Sequence, residues 1–292
     1  MSRAEPDPVI AHFGPEGLRR YRTTGAYGLR LPEPARQALE ETGLPRQVSR
    51  YFTASGEEDA LLLGAWLAHH GIPRPGDDRE NWLRLGGDGL GHLCVRPDGV
   101  VQAVFPGGEQ GDLMIASDVT AFAAALTALD RRLPVIAVSG NLSVAAAAFR
   151  ELNAELRKID GEAFAEREHW WPRVLDDVRH TLNFPFSAAF EYVDAQGAKQ
   201  VVTEATGPAK AHPEELIWQR LSAAGVAPGS VRRVYCELEP CMMPGHYCAV
   251  WMQQLFPEAE FTHSYDYGED AESREAGMKE MITEAARRAG GR

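Results

Sequence analysis

From residue 184 onward the chain alternates strand and helix periods in the order β-β-α-β-α-β-α. That order limits the fold more than any other feature of the sequence. "FPFSAAFEYV" (184–193) sets Phe184, Phe186, Ala188, Phe190 and Tyr192 on one face, "DAQG" turns, and "KQVVTEATG" (199–207) returns. "PEELIWQRLSAAG" (213–225) reads as a helix, with Pro213 in the first turn where its missing N–H is no loss. A strand in "SVRRVYCELE" (230–239), a helix within "PGHYCAVWMQQLFP" (244–257), a strand in "AEFTHSYDYG" (259–268) and a helix in "AESREAGMKEMITEAARRA" (271–289) follow. Strands alternating with helices predict a sheet whose later strands are parallel and covered by helices. Trp218 and Trp251 fall on helices and are expected in the core.

The earlier residues mix the two periods. "PEPARQALEETG" has helical spacing and ends at Gly43, and "EEDALLLGAWLAHHG" (57–71) is a stronger helix ended by Gly71. Short strands are expected within residues 82–108, joined by the turn "RPDG" (96–99). "SDVTAFAAALTALDRRL" (117–133) returns to a helix, with Ser117 or Asp118 as cap, and two amphipathic helices lead to about residue 182. His69 and His70 adjoin at a helix end, where positive charge suits the dipole. A chain of 292 residues exceeds the roughly 100–200 of one domain. Two domains are expected, residues 1–178 and 179–292.

Charge and cysteine usage narrow the functions. The net charge is -12, against the basic footprint of a dedicated nucleic-acid binder. No run approaches the ~18 apolar residues of a membrane span, and the first residues hold no apolar signal segment. A cytoplasmic protein without a membrane partner is the expectation. Three of the four cysteines crowd into "CELEPCMMPGHYC" (236–248), which suits metal binding or catalysis better than a disulfide framework.

Two segments carry the candidate chemistry. "AHPEE" sets His212 just ahead of a helix, because Pro213 is tolerated only in the first turn. In a helix interior His212 and Glu214 would point apart. At a helix start they can converge on one site. "EPCMMPGHYC" adds Cys241 and Cys248. One imidazole and two thiolates can hold Zn²⁺ and leave a fourth position open. His246 and Cys236 are rivals for the second thiolate position. Cys236 is the weaker rival, since strand alternation over five residues turns it away from Cys241.

His-x-Glu at one helix start followed by Pro-Cys and a second Cys resembles the zinc-dependent nucleobase deaminases, whose signature is H-x-E…P-C-x-x-C. The likeness spans roughly residues 181–292 and is nearest to the deaminase domains of bacterial polymorphic toxin systems. It implies Zn²⁺ held by His212, Cys241 and Cys248, with Glu214 as the catalytic proton carrier. It also implies hydrolytic loss of ammonia from a base. Cytosine in single-stranded nucleic acid or in a free nucleotide or nucleoside is the leading substrate, with adenine open. Six residues separate the cysteines where the family has two. Tyr265 and Tyr267 in "HSYDYG" are candidate substrate-binding residues, or core aromatics under the last helix. Residues 10–175, with "FGPEGLRR", "LRLGGDGLGHLCVRPDGVVQAVFPGG" and "REHWWPRVLDD", resemble SUKH-type immunity proteins. That likeness implies a module that binds a protein partner. The expected fold is α/β: an N-terminal α+β SUKH-like domain and a C-terminal three-layer α/β/α cytidine-deaminase-like domain. The competing expectation is a non-catalytic immunity protein with a structural zinc site.

Overall fold

The computed structural model describes residues 7–23, 31–108 and 110–290. The chain forms two compact units, Met1–Pro134 with Arg150–Val174, and Val135–Phe149 with Leu175–Arg292. Among the described residues no helix is long and apolar enough to cross a membrane.

The first unit is built on a six-stranded antiparallel sheet in chain order: Gln47–Val48, Phe52–Ala54, Leu83–Gly87, His92–Val95, Val101–Val104 and Leu113–Ala116. "RPDG" makes the expected turn: Gly99 adopts φ 95°, and the Arg96 N–H donates to the Val100 carbonyl. The helix expected over residues 57–71 forms only from Leu63 to His69. The backbone before it serves the sheet instead, since Arg84 N donates to Leu61 O and Leu63 N to Trp82 O. The next helix runs farther than expected, Val119–Val138 with Pro134 inside it, and Asp118 caps its start through Ala121 N. The buried Asp88 carboxylate is satisfied by Trp170 Nε1 at 2.7 Å and Gly91 N at 2.8 Å.

The second unit takes in the end of helix α1 (Trp170–Asn183), then β1 (Ser187–Val193), β2 (Lys199–Ala205), α2 (Pro213–Ala223), β3 (Val231–Leu238), α3 (Cys248–Leu255), β4 (Glu260–Tyr265) and α4 (Ala271–Gly290). Its sheet has the order β2-β1-β3-β4. β1 is antiparallel to β2 and β3, while β3 and β4 are parallel. The alternation in β1 buries Ala188 and Phe190 against Val234 and Cys236 of β3. Ile217 and Leu221 from α2, Met252 from α3 and Met278 from α4 complete the same core. Each such side chain contributes about 1.5–3 kcal/mol on burial, so packing holds the helices to the sheet. The carboxyl ends of β3 and β4 therefore come together beside the start of α2, where ligands collect in α/β sheets.

Candidate metal centre

His212 is the N-cap of α2, in extended backbone at φ -66° and ψ 154°. Its own N–H donates to Glu215 Oε2 at 2.7 Å, closing the helix start. The ring is thereby carried off the helix end and buried. Nδ1 lies 3.4 Å from Cys241 Sγ and 3.6 Å from Cys248 Sγ. His212, Cys241 and Cys248 place one ligand atom each within 4.8 Å of one another, and all three are buried.

The six-residue gap between the cysteines is folded back on itself. His246 N and Tyr247 N both donate to Met243 O, Gly245 takes φ 79°, and Tyr247 takes φ 46°. The left-handed pair reverses the chain so that Ala249 N reaches Cys241 O at 3.1 Å. Cys248 thus starts α3 beside Cys241 despite its distance in sequence.

The donor set fits zinc. With Zn–S near 2.3 Å and Zn–N near 2.0–2.1 Å, tetrahedral ligands stand about 3.6 Å apart, which is the spacing found. His212 Nε2 is engaged elsewhere, donating to Asp177 Oδ1 at 2.8 Å, so Nδ1 is the ring nitrogen turned to the thiols and the one that would bind a metal once deprotonated. Asp177, His212 and His246 are a second cluster of potential ligands. Its geometry is that of hydrogen bonding. The 2.8 Å separation is shorter than the about 3.3 Å between two tetrahedral N/O ligands. The two rings also stack at 3.7 Å and 8°, which sends their lone pairs along parallel lines instead of to one point.

The electrostatics are those of a buried, strongly interacting cluster. Burial disfavours a charged His212, yet Cys241 and Asp177 overcome it and hold its pKa well above the usual value. Burial likewise opposes the Cys241 thiolate, but the Cys248 thiol and the His212 ring stabilise it and its pKa is lowered well below a free thiol's. Cys248, buried beside that thiolate, keeps its proton. Metal binding would release it. Glu214 is fully buried, 4.0 Å from Cys248 Sγ, and burial raises its pKa.

The SUKH-4 immunity protein family matches residues 6–177, more than half of the chain. The chain belongs to the SUKH-4 family. The Xanthomonas-like deaminase family matches residues 185–284, the stretch that contains His212, Glu214, Cys241 and Cys248. The protein is thus a fusion of a SUKH-4 immunity domain with a deaminase-family domain, in the mixed α/β architecture expected. No curated protein and no solved structure matches it.

Within the deaminase-family domain of this SUKH-4 fusion, Tyr267 lines a cavity with His212, Glu214 and Cys241 and bonds His180 Nδ1 through its hydroxyl at 2.6 Å. Tyr265 does not line that cavity. It ends β4 opposite Leu238, packed against the core. His246 faces carboxylates on both ring nitrogens, Glu215 Oε2 at 2.6 Å and Asp177 Oδ2 at 3.1 Å. Both nitrogens can donate only when the ring carries a positive charge. Burial opposes that charge, but Asp177 prevails and the pKa of His246 is raised. Cys236 is buried in the core beneath the site, where its thiol interacts with the Glu214 carboxyl, and it does not join the His212–Cys241–Cys248 cluster. Strand alternation ends at Leu238, so parity does not carry through the irregular residues to Cys241.

Asp177, Glu215 and Glu239 escaped the sequence reading. Asp177 has a signal: it is a charge on the buried face of α1 between Val174 and Val178. Glu239 accepts from Tyr267 N and Gly268 N, which anchors the loop after β4.

Proposed function

We propose that residues 179–292 form a zinc-dependent hydrolytic deaminase acting on a nucleobase, and that residues 1–178 bind a protein partner of the toxin-immunity kind. Cytosine, in single-stranded nucleic acid or as a free nucleotide or nucleoside, is the proposed substrate, and adenine is the next. The observation that carries the reading is Glu214, a buried carboxyl with a raised pKa beside the His212–Cys241–Cys248 cluster.

His212, Cys241 and Cys248 would hold the metal, which when bound supplies a Lewis acid that makes water acidic at neutral pH. Glu214, whose Oε2 lies 4.0 Å from Cys248 Sγ, would take one proton from the attacking water and give it to the ring nitrogen, then carry the second, from the hydroxyl formed at the ring carbon, to the departing amine, which leaves as ammonia. The nearby Cys236 thiol interacts favourably with this carboxylate. Phe186 and Leu238 form an apolar wall that excludes bulk water. The cavity measures about 10 Å³ for the centre of a water-sized sphere, room for about one water. A base is larger, so Phe186, Leu238 and Tyr267 part when substrate enters.

The test is a panel of free nucleosides, nucleotides, single-stranded DNA and RNA scored for ammonia release by the zinc-loaded protein. Glu214→Gln should keep stoichiometric zinc and lose at least about 100-fold in rate. The narrow cavity also suits a second reading, in which the zinc is structural and the domain is a docking surface. Stoichiometric zinc with no ammonia from any cytosine or adenine substrate would establish that reading instead.

A further inference from the structure

We infer that Asp177 is the positioning residue of the metal centre, fixing the His212 ring with Nδ1 towards Cys241 and Cys248 as one corner of a closed circuit with His246 and Glu215. The inference rests on the zinc reading above. Asp177 lies on α1, 35 residues before His212 in sequence. It is the last residue of the SUKH-4 match and stands outside the deaminase match at 185–284.

The circuit has two arms, and both end on His212. In one, Asp177 Oδ1 accepts from His212 Nε2 at 2.8 Å. In the other, Asp177 Oδ2 accepts from His246 Nε2 at 3.1 Å, and His246 Nδ1 donates to Glu215 Oε2 at 2.6 Å. That same Glu215 oxygen accepts from the His212 backbone N–H at 2.7 Å. The His246 ring lies flat on the His212 ring at 3.7 Å, which blocks its rotation. A buried carboxylate is costly unless fully bonded, and Asp177 is 3% exposed. A carboxylate on the far nitrogen keeps the ring proton there and leaves the near lone pair for a metal, which is how outer partners set ligand orientation. The deaminase site therefore includes α1, and its functional boundary lies before residue 177.

The experiment uses the full chain, zinc competition against a chromophoric chelator, and the absorption bands of Co²⁺ in the same site. Asp177→Asn keeps the shape but offers one acceptor oxygen, so one imidazole N–H meets an amide N–H. Zinc affinity should fall about 10–100-fold, and the Co²⁺ bands should shift. Asp177→Glu should recover part of the affinity. Asp176→Asn, one residue away and paired with Arg179, should bind zinc as the wild type does. An Asp177→Asn protein that keeps zinc within about threefold of wild type, with unchanged Co²⁺ bands, overturns the inference and leaves the zinc reading standing. If that variant proves unfolded by circular dichroism, Asp177→Glu decides by the same two readouts: wild-type affinity and bands overturn it, weaker binding and shifted bands support it. Wild-type protein that takes up no zinc removes both readings together.

Discussion

Cys248 and His246 stand two residues apart, both buried, yet they face different partners. The Cys248 thiol faces His212 Nδ1 and the Glu214 carboxylate, while both His246 nitrogens are taken by carboxylates. Cys248→Ala should therefore strip the metal, whereas His246→Ala should weaken it within the about 10–100-fold typical of outer partners. Zinc content after dialysis, with chelator competition, ranks the two. The reverse order would make the imidazole the ligand. At this scale the sequence was legible where residues are close along the chain. His212, Glu214 and Cys241 are visible in "AHPEE" and "EPC" because a proline and a helix start fix their geometry locally. The choice between Cys248 and His246 is not local. It depends on Asp177, which only tertiary folding brings to the rings.

The loop after β4 is held by α4, and Gly277 makes that contact possible. A Cβ at Gly277 would stand 1.7 Å from the Asp266 carbonyl oxygen and 2.9 Å from its carbon, so backbone would have to move. Alanine favours a helix by about 1 kcal/mol over glycine, but a clash with backbone outweighs it at about 1–3 kcal/mol or more. Gly277→Ala should lower the denaturation midpoint and disturb the adjoining Tyr267, whose hydroxyl bonds His180. Urea unfolding and near-ultraviolet circular dichroism would show both, and an unchanged midpoint would mean that the loop yields freely. The elements themselves were readable, with the strand–helix order of the second unit found as expected. One exception has a cause outside local periodicity. The helix expected from residue 57 starts at Leu63 because residues 61 and 63 bond to the sheet, a competition invisible to local periodicity.

Over the whole molecule, two histidines of lowered pKa, half-buried His92 and buried His180, set how the protein meets acid. His92 in the first unit has its pKa lowered from 6.5 to about 4 by burial and by Arg84, whose Nε donates to its Nδ1. His180 in the second is lowered to about 4 by burial and by Arg179. Below pH 6.5 the unfolded chain protonates these rings while the folded protein does not, so stability falls as pH drops from 6.5 towards 4. At one pKa unit per 1.36 kcal/mol, each ring contributes at most about 3 kcal/mol to that loss. The raised His212 and His246 do not add to it, since their contribution is present below 6.5 and is lost as pH rises past it, while the raised Glu214 carboxyl offsets part of the loss as pH falls towards 4.5. Asp177, lowered well below 3.8, gives way only at stronger acid. Thermal melts of the metal-free protein from pH 7 to 4 should show a steady decline, made shallower by His92→Asn, whose Oδ1 can still accept from Arg84. Melts that are flat or rising over that interval would mean the two rings are charged in the folded protein. None of this is visible in a count of nine histidines. The fusion of two modules was legible from length and motif, because each module repeats a pattern written along the chain. The titration depends on which rings the cores enclose, and that is decided only when the sheets are packed.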